Sequence, residues 1–299
     1  MINSFQTLVD AVKSKPKKTI AVAMAEGEDV LKAVSYAHEQ GLADAVLVGN
    51  KRKIIDLADE HEIDLHDFDI INTTSEVQAV VRAIQMVREG LADTLMKGVC
   101  STATLLKGVL EKDHGIRAGK LLSHIAVFEL PNYHKLLFMS DGGMNISPDT
   151  EAKVAIIENA VQAARQFDIR KPRVAMITAV EKVNYQGMPC TVDAAIVTKM
   201  AERGQIKNCI VDGPLALDNA ISKKACEIKG IKSPIGGEAD ILIMPDIESG
   251  NVFYKALTYF TDCRASGIIS GAKVPLVVTS RADTDEIKYH SIALAMQAS

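Results

Sequence analysis

The chain reads as an α/β protein built on a mostly parallel sheet, and three observations point there. Short apolar, β-branched runs alternate with stretches of helical periodicity, the pattern of strand-crossover-strand units. The alternation forms two series, separated by the glycine-containing loop SDGGMNISPDTEAK at 140–153. The chain has 299 residues, 47% of them hydrophobic and 24% charged, and at roughly 150 residues per domain that length predicts two domains.

Taken in order, Phe5, Leu8, Val9 and Val12 lie on one face of a short helix that Pro16 ends. Thr19 to Ala25 is the first strand, followed by Glu26-Gly27-Glu28-Asp29 and a helix carrying Val30, Leu31, Val34 and Ala37 up to Gly41. Strands at Ala45–Val48, Phe68–Ile71 and Thr94–Met96 alternate with helices near 51–61 and 74–89. Strands at Ile125–Leu130 and Lys135–Met139 lead into the loop, and Ser147-Pro148 is placed to start a long helix with Val154, Ile157, Val161 and Phe167 on one face. The second series has strands at Val174–Ile177, Cys209–Val211 and Ile241–Met244, with helices near 191–203 and 216–229. Gly267–Ser270 and Leu276–Thr279 are the last strands, and Ile287, Ile292 and Met296 mark a final helix.

Composition narrows the function classes. A net charge of −4 gives no global basic field, which argues against nucleic acid as the main partner. Residues 1–18 carry no apolar signal core, and no apolar run approaches the ~18 residues of a membrane span. These features predict a cytoplasmic protein that acts on small molecules. The cysteines at 100, 190, 209, 226 and 263 never pair as C-x-x-C, and the histidines show neither H-x-x-x-H nor H-E-x-x-H, so no metal site is expected.

Three stretches gather chemistry. In PLVVTSRADTDEIKYH at 275–290, Ser280-Arg281 follows a strand and precedes the acidic turn of Asp283, Asp285 and Glu286. Ligands of α/β proteins sit at the carboxyl ends of strands, and a guanidinium matches phosphate oxygens in pairs. An N-capped surface helix with an exposed arginine accounts for the same residues. In KGVCSTATLLKGVL at 97–110, Lys97 and Gly98 leave a strand. Ser101 and Thr102 or Thr104 stand at a helix start with Lys107 a turn on, which describes either an anion site or a plain cap with two solvated lysines. In PDIESGNVFYKAL at 245–257, Ser249-Gly250-Asn251 opens a helix that carries Lys255, while Asn145 in the central loop is equally a turn residue. GIRAGK at 115–120 fails as a phosphate loop, since its glycines are too close together and no Ser or Thr follows Lys120.

With these residues in view, the chain resembles the phosphate acetyl/butyryltransferase family, and its butanoyl-transferring members most. The resemblance runs over nearly the whole length and is carried by AEGED at 25–29, GVCSTATLLKGVL at 98–110, VDGPLALD at 211–218, PDIESGNVFYKAL at 245–257 and SRADTDE at 280–286. It implies two α/β domains around a cleft, like the isocitrate and isopropylmalate dehydrogenases. The first domain would take 1–143 plus 279–299 and the second 144–278, the second forming a homodimer. It also implies acyl transfer between CoA and inorganic phosphate, with the CoA species as substrates and no cofactor. Arg281 would hold phosphate, Ser280 would donate to the carbonyl oxygen, and Asp285 or Glu286 would take the thiol proton in reverse. Lys97, Gly98, Ser101, Thr102, Lys107, Asn145, Asn251 and Lys255 are the candidate substrate-binding residues. Three departures from the acetyl members stand out: the turn after Ser280-Arg281 is one residue shorter, which leaves Asp285 and Glu286 as alternatives for the base, Lys107 replaces an arginine, and Lys97 replaces a common serine. The rival expectations are a phosphate acetyltransferase, a metal-dependent hydroxyacid dehydrogenase using carboxylates such as Asp212, Asp240 and Asp246, and a non-catalytic acyl-CoA or phosphate binder.

Overall fold

The computed structural model describes residues 2–119, 121–280 and 283–299. The chain forms two compact units, one of Phe5–Gly119 with Ser266–Ser299 and the other of Met1–Ser4 with Lys120–Ala265. In chain order the first holds α1 (Phe5–Lys13), β1 (Thr19–Ala23), α2 (Glu28–Glu39), β2 (Asp44–Gly49), α3 (Lys51–Glu60), β3 (Asp69–Asn72), α4 (Glu76–Arg88), β4 (Thr94–Lys97) and α5 (Thr102–Leu110). The other holds β5 (Ser123–Glu129), β6 (Leu137–Ser140), α6 (Thr150–Arg165), β7 (Arg173–Ile177), α7 (Cys190–Glu202), β8 (Ile210–Leu215), α8 (Leu217–Ile221), α9 (Lys223–Lys229), β9 (Ile241–Ile243) and α10 (Ile247–Phe260). The chain then runs through β10 (Arg264–Ser270) to β11 (Leu276–Val277) and α11 (Asp285–Ala298).

In the first unit the strand order is β3-β2-β1-β4-β11 with β10 beyond β11. Every pair from β3 to β11 is parallel, Val22 facing Leu47 on one side and Met96 on the other, and only β10 runs antiparallel. Ile20 to Ala23 are fully buried, as expected of a strand covered by helices on both faces. Each such aliphatic side chain contributes roughly 1.5–3 kcal/mol by leaving water. α11 is buried nearly all round, from Lys288 to Gln297, and its His290 ring stacks on Phe5 of α1 at 4.2 Å. The final helix expected from Ile287, Ile292 and Met296 is thus present, as a core helix.

In the other unit the order is β5-β6-β9-β7-β8, antiparallel only between β5 and β6. The units part at 119/120 and 265/266, on the N-terminal side of the crossings expected at 143 and 279. The β5–β6 hairpin groups with the later strands because Phe138 of β6 stands in register with Ile241 of β9. The long helix begins after Asp149, whose side chain accepts the Ala152 N–H at 2.8 Å, rather than at Ser147-Pro148. The helix expected over 216–229 is two helices, because Ser222 ends α8 and caps α9 through the Ala225 N–H.

Candidate functional site

The order β3-β2-β1-β4-β11 reverses direction between β1 and β4, and in open α/β sheets ligands bind outside the carboxyl ends of the strands at such a switch point. A crevice of ≈ 180 Å³ lies there. Its walls are Gly27 to Val30 after β1, Met96 to Val99 at the end of β4, Thr279 and Ser280 after β11, and Lys288 from α11. The ladder between β1 and β4 continues past the strands, with Gly98 N–H donating to the Ala23 carbonyl and Val99 N–H to the Met24 carbonyl, both at 2.8 Å. Only glycine fits at 98, since a Cβ there would stand 1.9 Å from the Met24 carbonyl oxygen.

Lys97 is half-buried, and its Nζ donates to the carbonyls of Gly98 at 3.0 Å and Cys100 at 3.2 Å, which holds its charge beside the crevice. Burial pushes the neighbouring Cys100 thiol up against the opposing pull of Lys97, so no thiolate stands ready here at neutral pH. Ser280 is exposed, and its backbone is fixed by a tight turn in which its N–H donates to Asp283 Oδ2 at 2.7 Å and its carbonyl accepts the Asp283 N–H. Arg281 lies outside the described residues. α11 starts at Thr284, whose hydroxyl accepts the Ile287 N–H. Asp285 and Glu286 are exposed in its first turn and neither lines the crevice. Asp285 instead lines a neighbouring groove with Lys32, Tyr36 and His61.

The start of α5 is organised differently. Ser101 caps the helix by accepting the Thr104 N–H at 3.0 Å, and its own N–H donates to Glu76 Oε1 at 2.8 Å. Hydrogen bonds from Thr104 and Ser101 hold the Glu76 carboxyl below the ordinary glutamate value. A carboxylate from α4 thus occupies the anion position that the residue pattern alone leaves open for a ligand. Thr102 is exposed at the first helical position, and Lys107 is exposed a turn further on, in the last turn of this short helix.

In the other unit, Asp141 is buried and collects the N–H groups of Gly143, Met144 and His124 together with Asn145 Nδ2 at 2.6 Å. Asn145 also donates to the Leu122 carbonyl, so its side chain holds this loop. α10 packs onto the same loop through Gly250, where a Cβ would meet the Asp141 carbonyl oxygen at 2.4 Å. Asn251 Nδ2 donates to the Gly142 carbonyl at 3.2 Å, and Lys255 Nζ stands 5.3 Å from the centre of the Tyr254 ring. The aspartates weighed as metal ligands serve the fold. Asp240 pairs with Lys135 at 2.5 Å and accepts the Arg173 N–H, Asp246 caps α10, and Asp212 accepts the Gly213 N–H. Among the described residues no three His, Cys, Asp or Glu side chains are grouped to hold a metal ion, and no helix is long and apolar enough to cross a membrane.

Sequence reasoning passed over Lys288, Glu76 and Asp141. None of the three belongs to a motif, because each owes its place to side chains or backbone that the fold brings near it.

A mostly parallel α/β sheet whose switch-point crevice is lined by two lysines and a serine has the chemistry to suit a small anionic ligand. The chain belongs to the Phosphate acetyl/butaryl transferase family, whose model matches residues 4–79 and 68–296. It is 48% identical to the phosphate butyryltransferase of Clostridium acetobutylicum over 99% of this chain and 98% of that one. It is 43% identical to the phosphate acetyltransferase of Thermotoga maritima over 97% of this chain and 98% of that one. A branched-chain phosphotransacylase from Enterococcus faecalis V583 shares its fold at a TM-score of 0.84 and 33% identity, covering 94% of this chain and 98% of that one.

Proposed function

We propose that this chain transfers a short acyl group, with butanoyl preferred, between CoA and inorganic phosphate. A phosphate oxygen attacks the thioester carbonyl carbon, the carbonyl oxygen gains charge, and the Ser280 hydroxyl donates to it. Collapse breaks the C–S bond and releases CoA as its thiolate, leaving the new C–O bond of the acyl phosphate. In reverse, Asp285 or Glu286 takes the thiol proton. A base is needed because a free thiol, with pKa ~8.5, is only a few per cent ionised at pH 7. Arg281 holds the phosphate by family resemblance. The observation that carries the reading is the meeting of Lys97, Gly98 and Ser280 at one switch-point crevice. The raised Cys100 thiol favours direct attack over a cysteine acyl-enzyme.

The proposal includes a cytoplasmic homodimer that needs no metal or cofactor. Val252, Tyr259 and Phe260 support self-association, since they are 68%, 68% and 88% exposed and fall on one face of α10. Thiol release from butanoyl-CoA that depends on phosphate and persists in excess EDTA is the expected result. Activity restored only by magnesium or manganese would favour the dehydrogenase reading, and saturable binding without turnover would favour a binding protein.

The similarity to a phosphate acetyltransferase keeps an acetyl preference as the second reading. kcat/KM for acetyl-, propionyl-, butanoyl- and hexanoyl-CoA at fixed phosphate separates the two. Two more buried methylenes contribute ~1.6 kcal/mol, so butanoyl should exceed acetyl roughly fifteenfold, with propionyl between. Acetyl-CoA equal to or better than butanoyl-CoA would make acetyl the natural acyl group.

A further inference from the structure

We propose that Lys288 binds the phosphoryl group of inorganic phosphate in the crevice, a role that rests on the acyl-transfer reading. The residue is 5% exposed and sits one turn into α11. A buried ammonium is costly unless strong partners compensate it. Those of Lys288 are weak: Asp29 Oδ2 at 3.5 Å and Asp285 Oδ1 at 3.6 Å, with the two carboxylate side chains 54% and 84% exposed. Charge-assisted hydrogen bonds run at roughly 2.7–2.9 Å, so neither contact is one, and an ammonium has three donors to place. The same residue forms a wall of the crevice, together with Lys97, Gly98 and Ser280. Two cations brought from β4 and α11 to one small space that Ser280 also lines match a compact oxyanion. Lysine suits it as a point charge, leaving paired recognition to a guanidinium. Asp29 and Asp285 stand near the ammonium without hydrogen-bonding it at these distances, so they compete only weakly with a ligand for its donors.

The test measures kcat, KM for phosphate and KM for butanoyl-CoA in the full chain and in Lys288→Gln, Lys288→Arg and Asp29→Asn. Phosphate binding by calorimetry and thermal unfolding are followed in parallel. Lys288→Gln should raise the phosphate KM on the order of tenfold or more while the butanoyl-CoA KM stays within about twofold. Lys288→Arg should recover part of that loss. Asp29→Asn removes a competitor for the ammonium and should lower the phosphate KM, whereas a purely structural Lys288–Asp29 pair would make this exposed-side variant mimic Lys288→Gln. The assignment is overturned by an unchanged phosphate KM in Lys288→Gln, by a rise confined to butanoyl-CoA, or by an Asp29→Asn variant that weakens phosphate. If the unmodified chain shows no phosphate-dependent thiol release, the acyl-transfer reading fails by itself. Calorimetry on the unmodified chain and Lys288→Gln then decides the phosphate site: equal affinities overturn it and a tenfold weaker variant upholds it.

Discussion

The start of α5 and the crevice at the ends of β1, β4 and β11 draw on the same materials, hydroxyl and lysine side chains beside the end of an element, and use them differently. At α5 the Ser101 hydroxyl takes the Thr104 N–H, and Glu76 takes the Ser101 N–H and supplies the negative charge the helix dipole favours. An incoming phosphate there meets a carboxylate already in place. In the crevice the two lysines come from separate elements, and their nearest partners are backbone carbonyls or distant carboxylates. A helix start that caps itself is a stability device, and a set of polar groups held apart by separate elements is a binding device.

The largest expected effect falls on the crevice. Ser280→Ala removes one oxyanion donor and should lower kcat on the order of a hundredfold with little change in thermal stability. A kcat within threefold of the unmodified chain would remove Ser280 from the reaction. The effect at α5 is smaller and of another kind. Ser101→Ala deletes the cap and should cost about 1 kcal/mol in denaturant unfolding. A loss below the error of the method would mean that Glu76 alone secures the helix start.

The smallest effect is a pH dependence. The folded Glu76 carboxyl is lowered, first by Thr104 and then by Ser101, from an ordinary value of 4.5. Its stabilisation is complete above that value and disappears as pH falls through the lower, folded one. Unfolding of Glu76→Gln and the unmodified chain should therefore differ near neutrality and converge in the acid range below 4.5. Curves that stay parallel down through that range would contradict the assignment.

Most of the fold was legible because strand runs such as Ile20 to Ala23 are buried on both faces and announce themselves by composition. The ends of elements were less so: Asp149 rather than Ser147-Pro148 starts α6, and Ser222 cuts one expected helix in two, since a cap is decided by a single side-chain hydrogen bond. Lys97, Gly98 and Ser280 were visible because each stands at or just beyond the end of a strand. Lys288 and Glu76 were not, because their roles depend on side chains brought near by the fold, Asp29 for the one and the start of α5 for the other. Nor does the residue order in KGVCSTATLLKGVL reveal that Glu76 of α4 bonds the Ser101 N–H at the start of α5.

The most direct test of the crevice as the phosphate site sets its lysine against the lysine of α5. Phosphate KM is measured in Lys97→Gln and Lys107→Gln at one fixed butanoyl-CoA concentration, with thermal unfolding as a check, since Lys97 also bonds two carbonyls. Removing a point charge from the crevice should raise the phosphate KM in Lys97→Gln by roughly tenfold more than in Lys107→Gln. A Lys107→Gln variant that weakens phosphate as much as Lys97→Gln, or more, would return the anion to the start of α5 and contradict the account.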